Sequence, residues 1–216
     1  MAGGIRRYNL LRGRLKGERH VRRSGAGAIR SRLTLSFGER LGLEMQVAET
    51  VPSATGAVIV PQDVNLIMGE VRAIEDTRET AEEVLAAARG AKAHEPGTVL
   101  VAAERDGGAL VLQAIVYDFR GVPPVKATHV FQALVAAFEE ARRRRVERLA
   151  LVPLGTAHAG LESRVFLKLL SQVCYTSAEL GSSVRHVQLL VSSSAELLYY
   201  EDLLREQVHP QPRQAP

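Results

Sequence analysis

The chain has 216 residues, 46% hydrophobic and 24% charged, with a formal net charge of +4 and a single cysteine. That composition supports a globular core, and one cysteine excludes an internal disulfide and any zinc cluster assembled from cysteines. No apolar stretch reaches the ~20 residues that span a bilayer, and no apolar segment follows the basic N-terminus as a secretory signal requires, so the reading is a soluble cytoplasmic protein.

The charge is unevenly placed. Residues 1–32 carry ten basic side chains (Arg6, Arg7, Arg12, Arg14, Lys16, Arg19, Arg22, Arg23, Arg30, Arg32) against one acid, Glu18; the remaining 18 basic and 23 acidic residues leave the body at −5. Such an arm suits an electrostatic contact with nucleic acid or an acidic protein surface. It suits equally a solvated tail, or a strand docked on the body's own acids. Tyr8 is the only aromatic residue of the arm, which therefore lacks the interleaved rings of single-strand binders.

Beyond the arm, "SRLTLSF" and "LGLEMQV" alternate apolar and polar residues around "GER", the pattern of two strands and a tight connection. "GAVIV" is a continuous apolar run suited to a buried strand. From Val71 to Ala88 the apolar residues Val71, Ile74, Ala81, Val84, Leu85 and Ala88 recur at helical spacing; a stop is expected near Gly90 and a turn at Pro96-Gly97. "TVLVAA" and "ALVLQAIVYDF" flank "ERDGG", whose Asp-Gly step tolerates the positive φ of a hairpin turn. A helix is expected from about Thr128, with Val130, Leu134, Phe138 and Ala141 on one face and Arg142 to Arg145 at a solvated end that complements the dipole, the alternative being that they add to a basic patch.

"RLALVPL" reads as another buried strand, followed by the small-residue loop "GTAHAG". The next helix carries Phe166, Leu169, Leu170 and Val173, and Cys174 beside them reads as a buried thiol. "VQLLVSS" is a last strand, and Ser193 with Glu196 forms a capping box for a final helix bearing Leu197, Tyr200 and Leu204. Strands alternating with helices give an α/β fold, a three-layer α/β/α sandwich whose central sheet is mixed because of the hairpin. The domain limits expected are a basic arm at 1–32, an α/β domain at 33–207 and a disordered tail at 208–216.

In such sheets ligands bind beyond the carboxyl ends of the strands. Two candidate loops leave such ends, "VIVPQD" and "LVPLGTAHAG". Strand, small-residue loop and helix together let backbone N–H groups close around a phosphate. Gly155, Thr156, Ala157, His158, Ala159 and Gly160 are the candidate cradle; the bland alternative is a tight turn that needs small residues to pack. Asp63 and Asn65 could contact ribose hydroxyls or orient water, or simply form a turn by bonding their own backbone. The six histidines show no metal-ligand spacing, no metal or nucleophile motif is present, and no metal or cofactor is expected.

From about residue 44 to 205 the order of elements and the two loops resemble the macro domain, a family that binds ADP-ribose. The corresponding stretches are "VAETV" (47–51), "AVIVPQD" (57–63), "NLIMGEVRAI" (65–74), "LVLQAIVYDF" (110–119) and "LALVPLGTAHAG" (149–160). The late loop keeps Pro153, Gly155, Thr156 and Gly160, with Ala157 and Ala159 where the family commonly has glycine. The early glycine-rich loop is reduced to Gly69, beside Met68 and Glu70. Asp63 matches an asparagine that positions ribose or water in hydrolysing members, and Glu49 matches an aspartate that reads adenine. The resemblance implies a macro-like domain that binds ADP-ribose or a related nucleotide diphosphate through the loop 153–160. Two alternatives stand beside it: a scaffold that has lost the ligand and uses its basic arm for nucleic acid or a protein partner, and an ADP-ribosyl hydrolase in which Asp63 orients water.

Overall fold

A computed structural model describes residues 14–16, 30–48, 52, 54–68, 93–102, 109–157 and 160–208. Eight strands occur among them: β1 (Arg14–Lys16), β2 (Arg30–Phe37), β3 (Leu41–Val47), β4 (Ala57–Asp63), β5 (Val99–Ala102), β6 (Leu110–Tyr117), β7 (Arg148–Leu151) and β8 (His186–Val191). They form one sheet in the order β1-β2-β3-β8-β7-β4-β6-β5. The central five, β3, β8, β7, β4 and β6, run parallel, whereas β1, β2 and β5 join antiparallel at the two sides. The sheet is mixed, as the sequence leads one to expect, and its connections alternate with α1 (Ala127–Arg143), α2 (Ser163–Glu179) and α3 (Ser194–Val208).

Alternation decides which side chains meet the helices. On β3, Leu41, Leu43, Met45 and Val47 share one face with Leu35 and Phe37 of β2, Leu149 and Leu151 of β7, and Leu189 of β8. The apolar stripes of the helices pack on that face: Val130, Leu134, Phe138 and Ala141 from α1, Phe166, Leu170 and Val173 from α2, and Leu197, Tyr200 and Leu204 from α3. Each fully buried leucine contributes about 2 kcal/mol by leaving water. A smaller cluster of Val58, Val111, Ala150 and Leu190 occupies the other face. Cys174 is fully buried within α2, and burial pushes its thiol far above the usual range, so it is packing and not chemistry.

The helix ends follow their local chemistry. The Ser193 hydroxyl accepts the Glu196 N–H at 3.1 Å, as a capping residue should. The return bond of the expected box lands one residue early: the Glu196 carboxylate accepts the N–H and O–H of Ser192, at 2.8 and 2.6 Å. At the end of α1 the Val146 N–H reaches the Ala141 carbonyl at 2.9 Å and the Arg145 N–H reaches that of Arg142 at 3.1 Å. That is a Schellman motif, and its left-handed residue is Arg145, at φ +55°.

Three residues of the arm, Arg14–Lys16, are a strand at the edge of the sheet, antiparallel to β2, and β2 itself begins at Arg30. Periodicity gives no hint of so short a strand. The turn at Pro96-Gly97 is present. The helix expected at 71–88, the hairpin tip at 103–108 and the end of the tail from residue 209 lie outside the described residues. Among the described residues no helix is long and apolar enough to cross a membrane.

Candidate functional site

The five parallel strands end at one edge, so the segments after Val47, Asp63, Tyr117, Leu151 and Val191 emerge there together. The candidate crevice is the place where β4 and β7 part, beyond the carboxyl ends of the strands. Their pairing stops at Ile59 with Leu151, while β4 continues beside β6 to Asp63. Pro61 lies in that continuation, where its missing N–H costs nothing on the β7 side. Pro153 turns the other wall away immediately after β7. Two prolines just past the last shared pair thus separate two strands that are neighbours lower down.

The loop after β7 is built by crowding. Gly155 sits at φ +72°, and a Cβ there would lie 2.8 Å from Val125 Cγ1 and 3.0 Å from Val130 Cγ2. A side chain at Gly160 would collide with the Gly155 carbonyl oxygen and lie 2.8 Å from that of Ala157. Both positions admit only glycine. The loop closes on itself where the Leu161 N–H donates to the Gly155 carbonyl at 2.6 Å. Among the described residues, no backbone carbonyl receives the N–H of Thr156 or Ala157. The Thr156 hydroxyl turns inward, donating to the Pro153 carbonyl at 3.3 Å. Burial raises the Tyr200 phenol, against side-chain hydrogen bonds with Ser163 and Thr156. The Thr156 hydroxyl is therefore engaged within the fold and its backbone N–H is left without a backbone partner among the described residues.

The loop after β4 is built around a carboxylate. Asp63 is 2% exposed, and its Oδ1 accepts the Asn65 N–H at 2.7 Å. Its Oδ2 accepts the N–H groups of Ile67 at 2.8 Å and Met68 at 2.7 Å. The Asp63 carbonyl takes the Leu66 N–H at 3.0 Å, with Leu66 held at φ +60°. Of the two roles the sequence leaves open for Asp63, turn formation is the one its geometry displays. The Asn65 Oδ1 accepts from Arg120 Nη2 at 3.4 Å.

Tyr117 joins the two loops. It is paired with Asp63 across β6 and β4, and its hydroxyl donates to the Ala157 carbonyl at 3.2 Å. Burial pushes its phenol up, which the bond to Ala157 partly offsets. Phe119, 55% exposed, stacks on Tyr117 with ring centroids 5.4 Å apart. Tyr117, Phe119 and Arg120 were not among the sequence candidates. The signal was a tyrosine at the carboxyl end of a buried strand, next to the strand that carries Asp63. Of the candidates, the fold brings Asp63, Asn65, Gly155, Thr156, Ala157 and Gly160 to this edge, whereas Glu49, Gly69, His158 and Ala159 lie outside the described residues.

No protein-family model and no curated protein matches the chain. Solved structures do. The chain is similar to the Oceanobacillus iheyensis macrodomain with ADP, at 13% identity and a TM-score of 0.61 over 85% of this chain and 98% of that one. It is similar to the same macrodomain with MES bound (12%, 0.59, 85% and 98%) and to a variant of it with ADPR (13%, 0.59, 84% and 98%). Identities this low speak to the fold alone, and on the strand order, the loop placement and this likeness together the chain has the macrodomain fold, carried by a divergent sequence.

Proposed function

We propose that the protein binds ADP-ribose or a related nucleotide diphosphate in the crevice between β4 and β7. Its phosphates would lie against the loop 153–160. The observation that carries this reading is the self-closed loop between Gly155 and Leu161, which no side chain can fill at either glycine. It stands at the carboxyl ends of parallel strands, with the Thr156 and Ala157 N–H groups pointing to no backbone partner among the described residues. Backbone donors ahead of a helix suit an anion. Similar folds with ADP and with ADPR give the ligand class its support. Glu49, Asn65, His158 and Ala159 belong to the proposed contacts, with Glu49 toward a base. Hydrolysis gains no support from Asp63, whose two carboxylate oxygens already hold three N–H groups.

The test is calorimetric titration with ADP-ribose, beside an Ala157→Glu variant. Ala157 is exposed, so a carboxylate there repels phosphate without disturbing the core. Micromolar binding lost in the variant is the expected result. Folded wild-type protein that gives no heat at millimolar ADP-ribose overturns the proposal and favours the scaffold alternative.

A further inference from the structure

The opposite pole of the sheet, where the parallel strands begin, collects arginines from separate elements. Arg148 opens β7 and pairs with His186 of β8, which pairs in turn with Gly42 of β3. Arg185 lies between, its N–H donating to the Glu147 carbonyl at 2.8 Å and its carbonyl accepting from Gly42 at 2.8 Å. Arg40 closes the β2–β3 turn, with its guanidinium beside Gly181. The end of α1 adds Arg142 to Arg145. All seven arginines are exposed.

Their charges are not equally spent. Glu139 holds Arg142, and Glu140 holds Arg143 and Arg144. Among the described residues Arg40, Arg145, Arg148 and Arg185 make no ion pair, and the remaining acids of the pole are Glu39, Glu147 and Glu179. The sheet register brings further charge to the same end. Arg14 pairs with Ser36, one residue before Phe37 and the turn that carries Arg40. The backbone of β1 therefore starts at this pole.

Arg145 supplies an independent observation. Its left-handed φ of +55° closes a Schellman motif, a place where glycine is favoured because it has no Cβ to strain. An arginine where glycine would suit the fold better is a local conflict of the kind found at functional positions. Every unpaired basic side chain of the body at this pole, His186 apart, is arginine, whose planar donors match phosphate oxygens.

We propose that this arginine pole, formed by Arg40, Arg145, Arg148 and Arg185, binds the phosphate backbone of nucleic acid. The site lies at the far end of the sheet from the crevice and is independent of its ligand. Contacts of this type read charge and not sequence, so affinity falls steeply with salt.

The experiment is fluorescence anisotropy with the full chain and a labelled 20-nucleotide RNA, run across ~50 to 200 mM salt, where each phosphate contact adds about 0.7 to the logarithmic salt slope. An Arg40→Gln, Arg145→Gln, Arg148→Gln, Arg185→Gln variant should bind at least tenfold more weakly at 100 mM salt and lower the slope by about 3. Arg145→Gly alone should melt at a higher temperature and yet bind RNA less tightly. A quadruple variant that melts like the wild type but keeps its affinity and slope overturns the proposal. Wild-type protein that fails to bind RNA at 50 mM salt also overturns it. Equal binding to polyglutamate of matched length refutes it in favour of an acidic protein surface. ADP-ribose titration is unaffected in every variant, which keeps failure here separate from failure at the crevice.

Discussion

Replacing Gly155 by alanine tests whether crowding shapes the late loop. Two costs are predicted. The first is conformational: at φ +72° an alanine Cβ meets its own backbone, at about 1–2 kcal/mol. The second is steric, because the new methyl lies 2.8 Å from Val125 Cγ1 and 3.0 Å from Val130 Cγ2. Both valines are buried and branched at Cβ, so neither can swing aside, and overpacking of this kind costs about 1–3 kcal/mol. Gly38→Ala separates the two costs: its φ is +60°, and its added Cβ meets nothing within 4 Å. Urea denaturation with unchanged m-values should show Gly38→Ala about 1 kcal/mol below wild type and Gly155→Ala about 2–4 kcal/mol below it. Only the second should weaken ADP-ribose binding, because only there must the loop move. Two variants within about 0.5 kcal/mol of each other would refute the crowding argument, since strain at φ would then be the whole effect.

Three further outcomes follow from single residues. Arg145→Gly should stabilise the fold by about 1 kcal/mol, because glycine adopts the left-handed end of α1 without strain; an unchanged or lower denaturation midpoint contradicts this. The Cys174 thiol should resist a thiol reagent in the folded state and react at the rate of unfolding, because burial is complete and its thiolate strongly disfavoured; fast labelling under native conditions is the contrary result. The side-chain hydrogen bond from Arg144, with the nearby Arg143, holds the Glu140 carboxyl below the ordinary 4.5. Its folded pKa lies under its unfolded one, so its contribution is complete above 4.5 and lost as pH falls through the folded value. The stability gap between wild type and Glu140→Gln should therefore shrink on acidification below that point, and a gap that stays constant down to pH 3 excludes the linkage.

Periodicity made the architecture legible. The alternation of Leu41, Leu43, Met45 and Val47, and the spacing of Val130, Leu134, Phe138 and Ala141, announce faces that the sheet and helices then bury against each other. The β1 strand was not legible, because three residues with one apolar side chain carry no period, and the pairing is set by β2. At the site, residue type revealed the loops but not their workings. Small residues at 155–160 signal a tight loop, yet the reason Gly155 must be glycine lies in Val125 and Val130, 30 and 25 residues away. Tyr117 is only faintly marked in sequence, as a tyrosine ending a buried strand: its hydroxyl matters only once β6 stands beside β4 and the late loop folds over it.

Asp63 shows how far one side chain decides the chemistry of a loop. Successive backbone N–H groups that converge on one point form a nest for an anion. Here the N–H groups of Asn65, Ile67 and Met68 converge, at 2.7–2.8 Å, on a carboxylate of the same chain. The early nest is filled from within, so those donors are withheld from any phosphate, and under the proposed function the anion contacts fall to the late loop. Removing the carboxylate should empty the nest. Three hydrogen bonds to a charged group, with part of their loss recovered by water, make Asp63→Ala about 2–4 kcal/mol less stable than wild type. Formate, which has the shape and charge of the missing group, should then raise the variant's denaturation midpoint more than that of the wild type. Equal responses to formate would mean that the loop does not depend on an anion. An Asp63→Ala protein that keeps wild-type stability but loses ADP-ribose affinity would instead assign the carboxylate to the ligand and restore the ribose-contact role for Asp63.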